Sequence, residues 1–223
     1  MGTFLRFHNL DVQSFWNDEG NSARLSERSL RLIIEGTASD IHPPLYYLLL
    51  RGWRELVGAS EFGLRSLSAF AGVGVVAGTM ALGKVSFYCQ DTRKQRARRF
   101  GLTAVFLAAF ITAVSPPLIY YSQEARMYAL LALEATLSTL FLLWWWAEIR
   151  QKLEIRKKKR IVLVAVGYVV LATAGLYTQY AFPAIIVAQN GMLLILIIKD
   201  LRVKHGEQAS RFTLKPLLFP GWP

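Results

Sequence analysis

Apolar runs at about 62–88, 101–120 and 127–147, and a fourth from Ile161 to Ile198, leave this chain little choice of fold. A helical bilayer crossing needs roughly 20 apolar residues, and each of the first three runs supplies about that. The fourth is too long for one crossing. Basic residues flank it at both ends, Arg156 to Arg160 before it and Lys199, Arg202 and Lys204 after it, so both ends belong on one side of a membrane. It must therefore fold back, around Tyr180 to Pro183, and provide two spans, about 161–180 and 183–198. Gly72, Gly74, Gly78 and Gly83 in the first run would let neighbouring helices approach closely, and Lys84 can reach back to the interface.

The cations set an orientation. Arg93, Lys94, Arg96, Arg98 and Arg99 fill one connection, Arg150, Lys152 and Arg156 to Arg160 fill the next but one, and Lys199, Arg202, Lys204, Arg211 and Lys215 follow the last span. Alternate connections rich in Lys and Arg are cytoplasmic by the positive-inside rule. The sequence is 53% hydrophobic with a formal net charge of +11, and long uncharged runs of this kind argue against a nucleic-acid binder. The single Cys89 excludes an internal disulfide framework and a cysteine metal cluster. Met1 to Arg6 has no signal-peptide pattern, so insertion is expected to rely on the internal spans or on a helix upstream. Trp144, Trp145 and Trp146 suit an inner aromatic belt.

Residues 1–60 are too polar to span. From Asn21 to Gly36, Arg24, Glu27, Arg28, Arg31 and Glu35 share one helical face opposite Leu25, Ser29, Leu32 and Ile33, with Glu27–Arg31 and Arg31–Glu35 spaced as charge pairs. Such a helix suits the interface plane. Pro43 and Pro44 suit the first turn of a second interfacial helix with an apolar stripe of Leu45, Leu48, Leu49, Trp53 and Leu56 and a stop at Gly58. The expected architecture is an all-α polytopic membrane protein: an outer-face segment 1–60 with two interfacial helices, about five transmembrane helices over 61–198, and a cytoplasmic segment 199–223.

This topology gathers the polar chemistry on the outer side. Asp18 and Glu19 are adjacent, so they point in different directions and one acts while the other supports; taken alone, such a pair reads first as helix capping or solvation. Asp40-Ile41-His42-Pro43-Pro44 places an acid and an imidazole before a rigid double proline, too few ligands for a metal signal by itself. Arg126 is the only Lys or Arg between Phe100 and Ala147, and a lone guanidinium at a membrane boundary can fork onto a lipid phosphate or pair with Glu124. Glu134 lies about two turns inside a span, where a carboxyl is costly and so marks a functional or pairing role.

Four motifs in order, Trp16-Asn17-Asp18-Glu19, Asp40 to Tyr47, Tyr121-Ser122-Gln123-Glu124-Ala125-Arg126-Met127-Tyr128-Ala129 and Leu176-Tyr177-Thr178-Gln179-Tyr180, resemble the successive motifs of bacterial GT-C glycosyltransferases. The resemblance is to the branch that groups protein mannosyltransferases with aminoarabinose transferases. It implies transfer of a sugar from a polyprenyl phosphate, with inversion, to a glycan, lipid or protein acceptor at the outer face of the cell membrane. It further implies Asp18 as catalytic base, with Glu19, Asp40, His42, Tyr121, Gln123, Glu124 and Arg126 around the substrates. Relatives more often carry His where this chain has Gln179. They also have a transmembrane helix ahead of the first outer loop, of which Phe4 to Phe7 resembles the last turn, and continue past position 223, so the chain is expected to be part of a longer protein.

The chemistry agrees with the residues independently. A phosphate ester leaves as a stabilised anion, so one carboxylate base and a cation at the phosphate can suffice. No cofactor is required, and a divalent metal stays open. The competing readings are a non-catalytic lipid-binding or transporter-like membrane module, which would place charges along the spans, and an inactive fragment.

Overall fold

A computed structural model describes residues 1–38, 42–89, 95–150 and 155–213, with side chains at 1–38, 42–86, 101–150 and 158–202. The described residues form ten helices and no strand: α1 (Gly2–Phe7), α2 (Asn17–Ser26), α3 (Leu30–Ala38), α4 (Leu45–Val57), α5 (Glu61–Cys89), α6 (Gln95–Val114), α7 (Pro116–Ser122), α8 (Tyr128–Arg150), α9 (Ile155–Thr178) and α10 (Phe182–Thr213). Four segments are long and apolar enough to cross a membrane, Glu61–Ser86, Tyr128–Arg150, Lys158–Thr178 and Phe182–Arg202, and α6 with α7 makes a fifth if the bent pair is one span. The chain is an all-α polytopic membrane protein. Phe106, Leu107, Phe110 and Ile111 of α6 and Val162, Leu163, Val166, Val169 and Val170 of α9 are all more than half or half exposed, an apolar outer surface suited to lipid.

The expected single span at 101–120 is instead broken, with α6 and α7 bent by 55°. Ser115 precedes Pro116 and is extended (φ −62°, ψ 117°), the conformation that a following proline imposes. The break creates a bonding problem. In a continuous helix the carbonyls of Thr112 and Ala113 would accept from the amides four residues on, but positions 116 and 117 are prolines and have no N–H. Arg6 supplies the missing donors. Its guanidinium is fully buried, donating from Nη2 to Thr112 O at 3.1 Å and from Nη1 to Ala113 O at 3.0 Å and Gly2 O at 3.0 Å. A cation at the negative end of the α6 dipole adds to this.

Helix α8 packs along both α5 and α9. Close approach is made by α5 glycines: a Cβ at Gly74 would lie 2.9 Å from Leu133 Cδ1 and one at Gly78 2.8 Å from Thr136 Cγ2, both on α8, while one at Gly83 would meet Val105 of α6 at 2.6 Å. At the other end of α8 the Trp144 indole donates to Glu148 at 3.0 Å, and Glu148 pairs with Arg160 of α9 at 3.1 Å.

The N-terminal region holds three helices between α1 and α5. The stretch Asn21 to Gly36, expected as one helix, is two, separated at Glu27 to Ser29. Arg31 pairs with Glu35 at 2.7 Å as its spacing predicts, but Glu27 reaches across to Arg54 of α4 at 3.1 Å because the break carries it off the Arg31 face. Helix α4 stops at Gly58, whose φ of 86° favours glycine. Its buried face is Tyr46, Tyr47 and Leu50, not the expected stripe: Leu49 is 42% and Leu56 78% exposed. An exposed apolar position in a membrane protein can be satisfied by lipid as well as by protein, so the leucine stripe does not mark the protein core. That core joins Ile33, Tyr46, Tyr47, Leu50 and Leu64 to Ala125 and Met127. It therefore seats α3, α4 and α5 directly under the segment between α7 and α8.

Two compact units are distinguished, Met1–Pro183 and Ala184–Pro223. In the first, α9 ends at Thr178 and α10 starts at Phe182, which puts the turn at 179–181, slightly before the expected position. In the second, helix continues to Thr213, well into the stretch expected as a cytoplasmic segment.

Candidate functional site

Trp16 is the extended N-cap of α2, so Asp18 and Glu19 occupy its first turn, where the helix dipole favours acids. Consecutive helical side chains diverge, and the two acids part completely. Glu19 points inward and is 1% exposed; Arg65 of α5 grips it bidentately, Nε to Oε1 at 2.8 Å and Nη2 to Oε2 at 2.6 Å, and the Ala125 amide donates to Oε1 at 2.7 Å. Arg65 also donates to the carbonyls of Leu10, Gln13 and Ser14 at 2.7, 2.6 and 3.3 Å, so one guanidinium fixes the loop before α2, α2 itself and, through Glu19, the segment carrying Arg126. Asp18 points the other way. Its side chain is 39% exposed, and its Oδ2 lies 3.4 Å from Arg126 Nη2.

Arg126 connects the site. Its side chain is 7% exposed, its guanidinium lies 5.8 Å from the Tyr128 ring centroid, and Ser68 of α5 donates to its backbone carbonyl at 3.1 Å. Nη2 also lies 3.3 Å from His42 Nε2, while His42 Nδ1 lies 3.3 Å from Gln179 Oε1. A guanidinium can only donate, so His42 Nε2 must present its lone pair. Gln179 Oε1 also accepts from the Tyr180 amide at 3.2 Å, which fixes it as the carbonyl oxygen and makes His42 Nδ1 the protonated nitrogen. The line Asp18, Arg126, His42, Gln179 thus joins all four sequence motifs. Arg126 Nε is buried with no hydrogen-bond partner, an N–H in want of an acceptor.

Asp40 lies outside the described residues. Gln123 faces away and donates from Nε2 to the carbonyls of Leu5 and His8, both at 3.0 Å, fastening α7 to α1. Glu124 is 7% exposed; burial pushes its carboxyl above the usual range, opposed by a hydrogen bond from Tyr120. Tyr121 packs on Tyr128 at 4.9 Å between ring centroids, and both line a cavity of about 180 Å³ bordered by Arg6, Gly72, Val75 and Leu118. Glu134 accepts from Thr178 at 2.9 Å. Among the described residues no three of His, Cys, Asp and Glu gather as a metal-binding group.

Sequence reasoning missed the parts played by Arg65 and Arg6. Arg65 had a readable signal, a charge one turn inside an apolar run and four residues after Glu61. Arg6 had a fainter one in the two prolines, which remove the donors that Thr112 and Ala113 need. Compared with protein-family models, with curated proteins and with solved structures, the chain matches none.

Proposed function

We propose that this chain carries the catalytic site of a membrane glycosyltransferase that takes a sugar from a polyprenyl-phosphate donor and passes it, with inversion, to a glycan, lipid or protein acceptor at the outer face of the cell membrane. The observation that carries the reading is the pairing of a part-exposed carboxylate, Asp18, with the buried guanidinium of Arg126, whose Nε is unpartnered. In this reading Arg126 receives the donor phosphate. The 3.4 Å contact to Asp18 is loose enough to yield to a phosphate oxygen, and the free Nε–H offers a second donor for a forked bond. Asp18, released from Arg126, removes the proton from the acceptor as it attacks the anomeric carbon, while the phosphate leaves as an anion held by the guanidinium and needs no general acid. The motif positions Asp18, Arg126, His42 and Gln179 form one continuous line of contacts, which supports a shared site.

The test is transfer of radiolabelled sugar from polyprenyl phosphate in reconstituted vesicles by wild type and by Arg126→Gln. A charge-assisted bond is worth about 1.5–3 kcal/mol, so the donor KM should rise about ten- to a hundredfold. A wild-type donor KM in the variant, or no transfer by wild type with any polyprenyl-phosphate sugar, would overturn the proposal.

A further inference from the structure

Glu134 stands about two turns into α8 in an apolar stretch, 5% exposed, where the proposed chemistry gives it no task. Its Oε1 accepts from the hydroxyl of Thr178, which is fully buried and is the last residue of α9. The next residue is Gln179. Its amide donates to Gly175 O at 3.0 Å, and its carbonyl accepts from Phe182 N–H at 3.0 Å, with the fully buried Phe182 ring packed on Gly175. The end of α9 is therefore bonded to α8 at Thr178 and to His42 at Gln179, in adjacent residues.

We propose that Glu134 is a positioning residue for the site: through Thr178 it sets the end of α9 so that Gln179 Oε1 meets His42 Nδ1. The functional meaning of this rests on the transferase reading above; the positioning itself does not. With Gln179 Oε1 in place, the proton sits on Nδ1 and Nε2 accepts from Arg126. If the end of α9 shifts, His42 loses the acceptor that favours this tautomer. The Nε2–H form then turns a donor toward the guanidinium of Arg126, two donors face each other, and Arg126 loses its fixed place beside Asp18. What Thr178 needs from Glu134 is one acceptor oxygen, which a glutamine also has.

The experiment reads the tautomer of His42 directly, by solid-state NMR of the full chain in proteoliposomes with ¹⁵N-labelled histidine. The chain has 3 histidines, and the His42 signals are identified by their loss in His42→Gln. Wild type should show protonated Nδ1 and unprotonated Nε2 as the dominant species. Thr178→Val, which keeps the shape and removes only the hydroxyl, and Glu134→Leu should both reduce that species to a minority, whereas Glu134→Gln should retain it. Retention of the wild-type tautomer in Thr178→Val, or its loss in Glu134→Gln as complete as in Glu134→Leu, would overturn the proposal. Thr178→Val decides the matter even if Glu134→Leu fails to fold. No substrate is present, so a failure here stays separate from a failure of the transferase reading, which the transfer assays decide.

Discussion

Asp18 and Glu19 are separated by about 100° around α2, as 3.6 residues per turn requires, and this turn divides their work. Glu19 meets Arg65 in a fully buried ion pair, and removing one partner of such a pair costs about 3–5 kcal/mol. Glu19→Gln should therefore lower the thermal midpoint of the detergent-solubilised protein markedly. Asp18→Asn, which weakens a loose, part-exposed contact worth about 0–1 kcal/mol, should leave it nearly unchanged. Equal losses in the two variants would contradict this division. Glu124 offers a pH test. Burial raises its folded-state pKa above the unfolded value, so the folded state holds the proton more tightly and stability is lost as pH rises through the folded pKa. Glu124→Gln should thus gain thermal stability over wild type at neutral pH, and the gain should vanish below the normal carboxylate range. Asp18, His42 and Arg126 were legible because their motifs are compact. The Glu19–Arg65 pair was not: its partners lie 46 residues apart, and nothing local in either stretch names the other.

Proline decides the architecture at the level of the helix. Pro116 and Pro117 end α6 and start α7, and Arg6 takes over the carbonyl bonds that they cannot make. Leaving a buried acceptor unsatisfied costs about 1–3 kcal/mol. Stability, followed by thermal denaturation with size-exclusion detection, should fall in the order wild type, Arg6→Lys, Arg6→Met, since lysine reaches with a point charge and methionine with none; an Arg6→Met protein as stable as wild type would refute the capping role. Apolar runs of span length were readable because they exceed what other elements use, and the close-approach glycines of α5 because small residues have few other uses at helix contacts. The buried face of α4 was not readable. In a membrane protein apolar side chains have two destinations, protein and lipid, and leucine periodicity alone does not separate them: Tyr46, Tyr47 and Leu50 are buried in protein while Leu49 and Leu56 are exposed.

Over the whole molecule, the proposed chemistry requires the α2–α4 region and the basic connections to lie on opposite sides of the membrane. In a Cys89→Ser background, a cysteine placed at the exposed Asp11 should react with an impermeant maleimide on intact cells, and one at the exposed Lys159 only after permeabilisation; the reverse pattern would put the site on the cytoplasmic face. The core seats Ala125 and Met127 on α3, α4 and α5, so that Arg126 between them is held against Asp18 and His42 by packing rather than by its own short segment. The proposed transfer depends on Asp18 as the base. Turnover of a polyprenyl-phosphate sugar by Asp18→Asn should fall by about 10²–10⁴-fold, with donor affinity and membrane insertion retained, and turnover equal to wild type would contradict it.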